Sequence, residues 1–81
     1  LFKEKQVPKR VEVKSEVAGS VWKIEAKPGD TLQDEDTILI LESMKMEIPV
    51  GAPGECTLIE ILVAEEETIA EEQTLAIVEK A

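Results

Sequence analysis

Shifting the 81-residue chain by 37 positions lays residues 13–42 on residues 50–79 without a gap. Val13 meets Val50, Ile24 meets Ile61, Thr31 meets Thr68, Glu35 meets Glu72, Thr37 meets Thr74 and Ile40 meets Ile77. Conservative pairs fill the spaces between them: Val21 with Leu58, Leu32 with Ile69, Ile38 with Leu75 and Leu41 with Val78. A repeat is the feature that most limits the choice of fold. Two copies are too few for a stacked solenoid, but they can close on each other with approximate two-fold symmetry.

Each copy reads as β structure. "SVWKIEA" and "TLIEILV" are short β-rich runs, as are "TILILE" and "TLAIVE", and turn-like acidic segments bound them. In "KPGD", Pro28 and Gly29 occupy the two central positions of an expected type II turn. The second copy has Glu66 where the first has Gly29, so that turn either changes type or strains Glu66. Residues 38–41 and 75–78 are apolar at every position, which simple in–out alternation does not explain. Alternation also fails around Val21 and Leu58, where bulges or barrel corners are expected. "AEEETIAEEQTLA" could pass for a helix on propensity. Its register with "KPGDTLQDEDTIL", which holds a Pro and a Gly, argues for strand and turn. Pro49 fits an edge strand, a strand end or a bulge beside an opening. The expected fold is all-β: two packed antiparallel sheets or a flattened barrel, with about four short strands per copy. The expected domain is residues 11–81. Residues 1–10, basic and without periodicity, read as a linker or an arm packed on the barrel edge. The start at Leu1 reads as a domain cut from a longer chain, or a processed product.

Composition removes several functions. Residues 1–14 carry five basic and two acidic side chains, whereas the remainder carries four basic and sixteen acidic, for a net charge of −9. Such a surface repels phosphate backbones and anionic membranes, so neither nucleic acid nor membrane is an expected partner. With Phe2 and Trp22 as the two aromatic residues, stacking on bases lacks a platform. Trp22 is expected to be a partly buried packing residue. The absence of histidine removes the commonest general base and metal ligand. The string Asp30, Asp34, Glu35, Asp36 lacks the order of a calcium loop. Cys56 is the single cysteine, so no internal disulfide forms, and its expected role is that of a small apolar filler. A reducing compartment follows: cytoplasm, or alternatively the mitochondrial matrix.

Between the copies stands "LESMKMEIPV", residues 41–50. No Gly, Pro or Asn separates the strand-like runs on its two sides, so a tight hairpin is expected with Met44 and Lys45 at its tip. A catalytic lysine needs burial or neighbouring cations, and neither is in view. An ordinary solvated lysine would leave the flanking methionines unexplained. Covalent acylation of an amine on a rigid apex accounts for both. Met44 and Met46 can plug core gaps or shape a recognised surface. Glu42 and Glu47 read as solvated charges at strand ends.

"ESMKMEI" resembles the attachment motif of biotinyl domains, usually Ala-Met-Lys-Met, and the resemblance covers nearly all of residues 13–79. "AGSVWKIEAKPGDTL" and "ECTLIEILVAEEETI" are similar to the matching stretches of the two halves of biotin carboxyl carriers. The resemblance implies a barrel-sandwich of two four-stranded antiparallel sheets, with the modified lysine on a hairpin and the termini at the opposite end. It also implies biotin in amide linkage to Lys45, carboxylated at a biotin carboxylase site and delivering the carboxyl group to an acceptor at a carboxyltransferase site. The chain would then be a non-catalytic carrier whose partners are biotin protein ligase, the biotin carboxylase and the carboxyltransferase. Glu42, Ser43, Met44, Met46 and Glu47 would contribute to recognition by the ligase. Ser43 departs from the usual Ala, Cys56 stands where Gly is usual, and no thumb-like insertion is present. Lipoyl domains share the implied fold but usually carry Asp-Lys-Ala. Adaptor modules of efflux systems need no Met-Lys-Met apex.

Overall fold

The computed structural model describes residues 9–80, and every regular element among them is a strand. In chain order these are β1 (Lys9–Lys14), β2 (Gly19–Ile24), β3 (Thr31–Leu32), β4 (Thr37–Ser43), β5 (Met46–Gly51), β6 (Cys56–Ile61), β7 (Thr68–Ile69) and β8 (Thr74–Lys80). Adding 37 to the limits of β1, β2, β3 and β4 returns the limits of β5, β6, β7 and β8. The structural repeat is therefore longer than the sequence repeat, because β1 and β5 have diverged in sequence while keeping their place. Lys9 and Arg10 already pair with Lys80 and Glu79, so β1 begins two residues before position 11. The rest of the expected linker or arm, residues 1–8, lies outside the described residues.

Two four-stranded antiparallel sheets result, ordered β1-β8-β6-β3 and β5-β4-β2-β7. Each sheet takes two strands from each copy, so neither copy can complete a sheet alone. Backbone bonds tie the halves further. Gly29 N–H donates to Leu58 O (2.8 Å) and Glu66 N–H to Val21 O (2.6 Å), so the turn of each copy is stitched to the long strand of the other.

The uninterrupted apolar runs are explained by bulges. Register shifts lie between Val21 and Lys23 and, one repeat later, between Leu58 and Glu60. Matching shifts lie between Thr37 and Leu39 and between Val13 and Lys14. An extra residue in one strand lets two neighbours face the same side. Ile38 and Leu39 are both buried, as are Leu75 and Ala76, and together with Val21, Leu41, Leu58 and Val78 they form the centre of the core. The bulge between Val21 and Lys23 turns Trp22 outward. It is 46% exposed, which corrects its expected packing role.

Four turns share one design. In residues 27–30, 33–36, 64–67 and 70–73 the last N–H donates to the first carbonyl, at 3.0–3.1 Å. The side chain of the last residue (Asp30, Asp36, Glu67 or Gln73) accepts from the first N–H in return. Asp30 and Asp36 thus close turns. The third position has positive φ in every case: Gly29 (98°), Glu35 (68°), Glu66 (72°) and Glu72 (72°). Of the two outcomes open at Glu66, the strained one holds. Left-handed backbone costs an L-residue about 1–2 kcal/mol, and glycine adopts it freely. Glu66→Gly is expected to stabilise the domain by about 0.5 kcal/mol after the extra chain entropy of glycine is set against the relief. Urea denaturation reads this directly. A loss of stability, as for an ordinary exposed Gly substitution, would contradict the strain.

Candidate functional site

Strands β4 and β5 form the hairpin between the repeats. Ser43 pairs with Met46, Glu42 with Glu47 and Leu41 with Ile48, which leaves a two-residue loop, Met44-Lys45. Both loop residues have positive φ, 52° and 66°. This is the type I′ geometry whose twist matches that of the flanking strands, and Asn-Gly is its usual sequence. A Met-Lys pair in that place is strained backbone held by its surroundings, a condition that clusters at functional sites.

The surroundings that hold it are specific. Ser43 Oγ donates to Ala18 O at 2.8 Å, which ties the base of the hairpin to the segment entering β2. Ser20 pairs with Glu42 across the same edge. A Cβ at Gly19 would stand 2.3 Å from Glu42 O and 3.1 Å from Ser43 Cβ, so close approach of the strands here requires glycine. In the second copy Gly19 is matched by Cys56, which is buried, and Ser43 by Lys80. Lys80 pairs with Lys9 of β1.

Below the apex the hairpin is anchored in the core. Leu41 is buried, and Ile48 and Val50 are half-buried against the core cluster. Strand β5 is an edge strand, and Pro49 sits in it opposite Ile40. A proline at an edge removes a donor that another strand could pair with. Pro49 also lines an opening, a cleft of about 180 Å³ bounded by Val17, Leu41, Ile48 and Val50 among others.

The hairpin therefore brings together the residues singled out by sequence. Lys45 is exposed at the apex, and among the described residues it enters no ion pair. Met44 is 92% exposed and Met46 is 63% exposed, so neither plugs the core. The tight two-residue turn holds them at the tip of the hairpin, where the described residues leave them uncovered. Glu42 and Glu47 face each other, both exposed, one step behind the apex. An exposed primary amine on a stiff projection is accessible to an acylating enzyme and fits a group attached through an amide bond.

Two features of the site have little signal in sequence. The Ser43–Ala18 bond depends on how β2 enters its sheet, and the need for glycine at position 19 depends on the approach of Glu42. The duplication held the one available hint, because Gly19 is not repeated at position 56.

Comparison with known proteins gives the family. The chain is 48% identical over 40 residues to the biotin/lipoyl attachment protein of Bacillus subtilis, a match covering 49% of this chain and 55% of that protein. It spans little more than half the length of the short curated relatives it matches. The urea carboxylase of Kluyveromyces lactis superposes with a TM-score of 0.83 at 29% identity, over 96% of this chain and 7% of that one. A single-chain, multi-domain long-chain acyl-CoA carboxylase superposes with a TM-score of 0.85 at 20% identity, over 99% of this chain and 8% of that one, and shows the same fold. Residues 6–78 match the model of the family described as "biotin-requiring enzyme", and the chain belongs to that family.

Proposed function

We propose that the chain is a biotin carboxyl carrier domain, with biotin joined to Lys45 Nζ by an amide bond. The observation that carries this reading is the exposed amine of Lys45, in no ion pair among the described residues, at the apex of a strained two-residue turn. It is supported by relatives whose names speak of biotin attachment and by the likeness to part of a urea carboxylase.

The domain contributes presentation rather than a catalytic step. Lys45 is the attachment point. Met44 and Met46 give a ligase an apolar grip on the apex, with Glu42 and Glu47 as its charged rim. Ser43 and Gly19 hold the base of the hairpin against β2, so the amine is offered in one orientation, and binding partners lose less entropy in ordering it. When bound, biotin would carry a carboxyl group from a biotin carboxylase site to a carboxyltransferase site, chemistry that belongs to the cofactor and to those partners.

The test is transfer of label. Biotinylated domain is incubated with a biotin carboxylase, ATP and labelled bicarbonate, then desalted rapidly. Label is expected on the domain in proportion to its biotin content. An unlabelled domain beside an enzyme that still carboxylates free biotin would overturn the carrier role.

A further inference from the structure

The chain has three sulfur atoms, in Met44, Met46 and Cys56, and they lie in opposite environments. Cys56 is buried in the core, where desolvation pushes its thiol up despite the opposing charge of Lys80. The thiolate is the reactive form of cysteine, so this thiol is poorly available to oxidants. Methionine is ordinarily a core residue. Here both thioethers project into solvent, one on each side of Lys45, on an apex where the described residues leave them uncovered. The oxidisable sulfur of the molecule is thus concentrated at the proposed attachment point.

We propose that Met44 and Met46 form a peroxide-modification site, and that their oxidation to sulfoxides blocks attachment of biotin to Lys45. The thioether lone pair attacks one oxygen of a hydroperoxide, the O–O bond breaks, and an S–O bond forms. The proton of the attacked hydroxyl passes, directly or through solvent, to the other oxygen, which leaves as water or an alcohol. Sulfur is oxidised by two electrons and the peroxide is reduced by two. The product is a polar, chiral side chain in place of a flexible apolar one, and methionine sulfoxide reductases reverse the change. An apolar grip on the apex is lost, whereas the fold is not, because neither side chain is part of the core. The proposal rests on the reading of the hairpin as a ligase-recognised biotin site.

The experiment uses unbiotinylated chain treated with a small excess of hydrogen peroxide, which is then removed. Peptide masses are expected to show one added oxygen on each of Met44 and Met46, with Cys56 unchanged. Ligation with biotin protein ligase, biotin and ATP is expected to slow by at least about tenfold, the scale on which one hydrophobic contact discriminates. Treatment with the two sulfoxide reductases should restore the parent rate, which excludes damage elsewhere. The ligation rate of a Met44→Leu/Met46→Leu variant, taken against the same variant left untreated, should not respond to peroxide, because no thioether remains at the apex to be oxidised. Oxidised chain that is biotinylated at the parent rate, or Cys56 modified before the methionines, would overturn the proposal. If untreated chain accepts no biotin, the carrier reading and the block fall together. If untreated chain is biotinylated and the oxidised chain equally so, the block falls alone.

Discussion

Lys45→Arg is expected to accept no biotin while folding and melting as the parent does. Arginine keeps the positive charge and the long aliphatic stem, but its guanidinium is delocalised and remains protonated, so it offers no free amine for acylation. Lys45 is exposed and, among the described residues, forms no ion pair, so the exchange breaks no ion pair there. Both side chains bear the same left-handed backbone, since φ at position 45 is 66° and neither residue is glycine. Intact mass after incubation with ligase, biotin and ATP reads acceptance, and thermal denaturation reads the fold. Incorporation in the variant at the parent level would place the attachment on another lysine.

The second large effect tests the duplicated core. Ile38 and Leu75 are one repeat apart, and both are fully buried. Truncating a buried aliphatic side chain to alanine removes its transfer free energy and leaves a cavity, at a cost of about 3 kcal/mol. A domain of this size has a total stability of roughly 4–12 kcal/mol, so either change consumes a large part of it. At about 5 °C per kcal/mol, Ile38→Ala and Leu75→Ala should each lower the midpoint by roughly 15 °C. The two losses should agree closely, because equivalent positions in equivalent sheets collapse to a similar degree. Urea denaturation of the pair checks this. A cost at one position several times that at the other would show that the two halves are not packed alike.

What sequence revealed of this molecule followed from its repetition. The repeat pointed to about four short strands per copy and to bulges or corners around Val21 and Leu58, though not to the shifts beside Thr37 and Val13, and its midpoint located Lys45. Intertwining was not legible, because no local signal says that β3 pairs with β6 of the other copy, or β7 with β2. Lys9 and Arg10 fall in a stretch that reads as a linker or an arm packed on the barrel edge, because their charges hide an edge strand, which needs no apolar face of its own beyond Val11 and Val13. Residue type makes Trp22 a partly buried packing residue, and the bulge that turns it further outward is a matter of register. For Met44 and Met46, side-chain chemistry suits core and surface alike. Only the two-residue turn, which holds them at the tip of the hairpin, decides between the two. Glu66 was legible as a question: the repeat showed that glycine was missing, and the turn answered that the backbone had not changed.

The central claim is that Lys45 is the residue that accepts biotin. The most direct measurement is the mass of the folded parent chain before and after incubation with biotin protein ligase, biotin and ATP, followed by mapping of its peptides. The predicted result is a gain of one biotinyl group, located on Lys45. No gain in a chain shown to be folded, or a gain located on any other lysine, would contradict it.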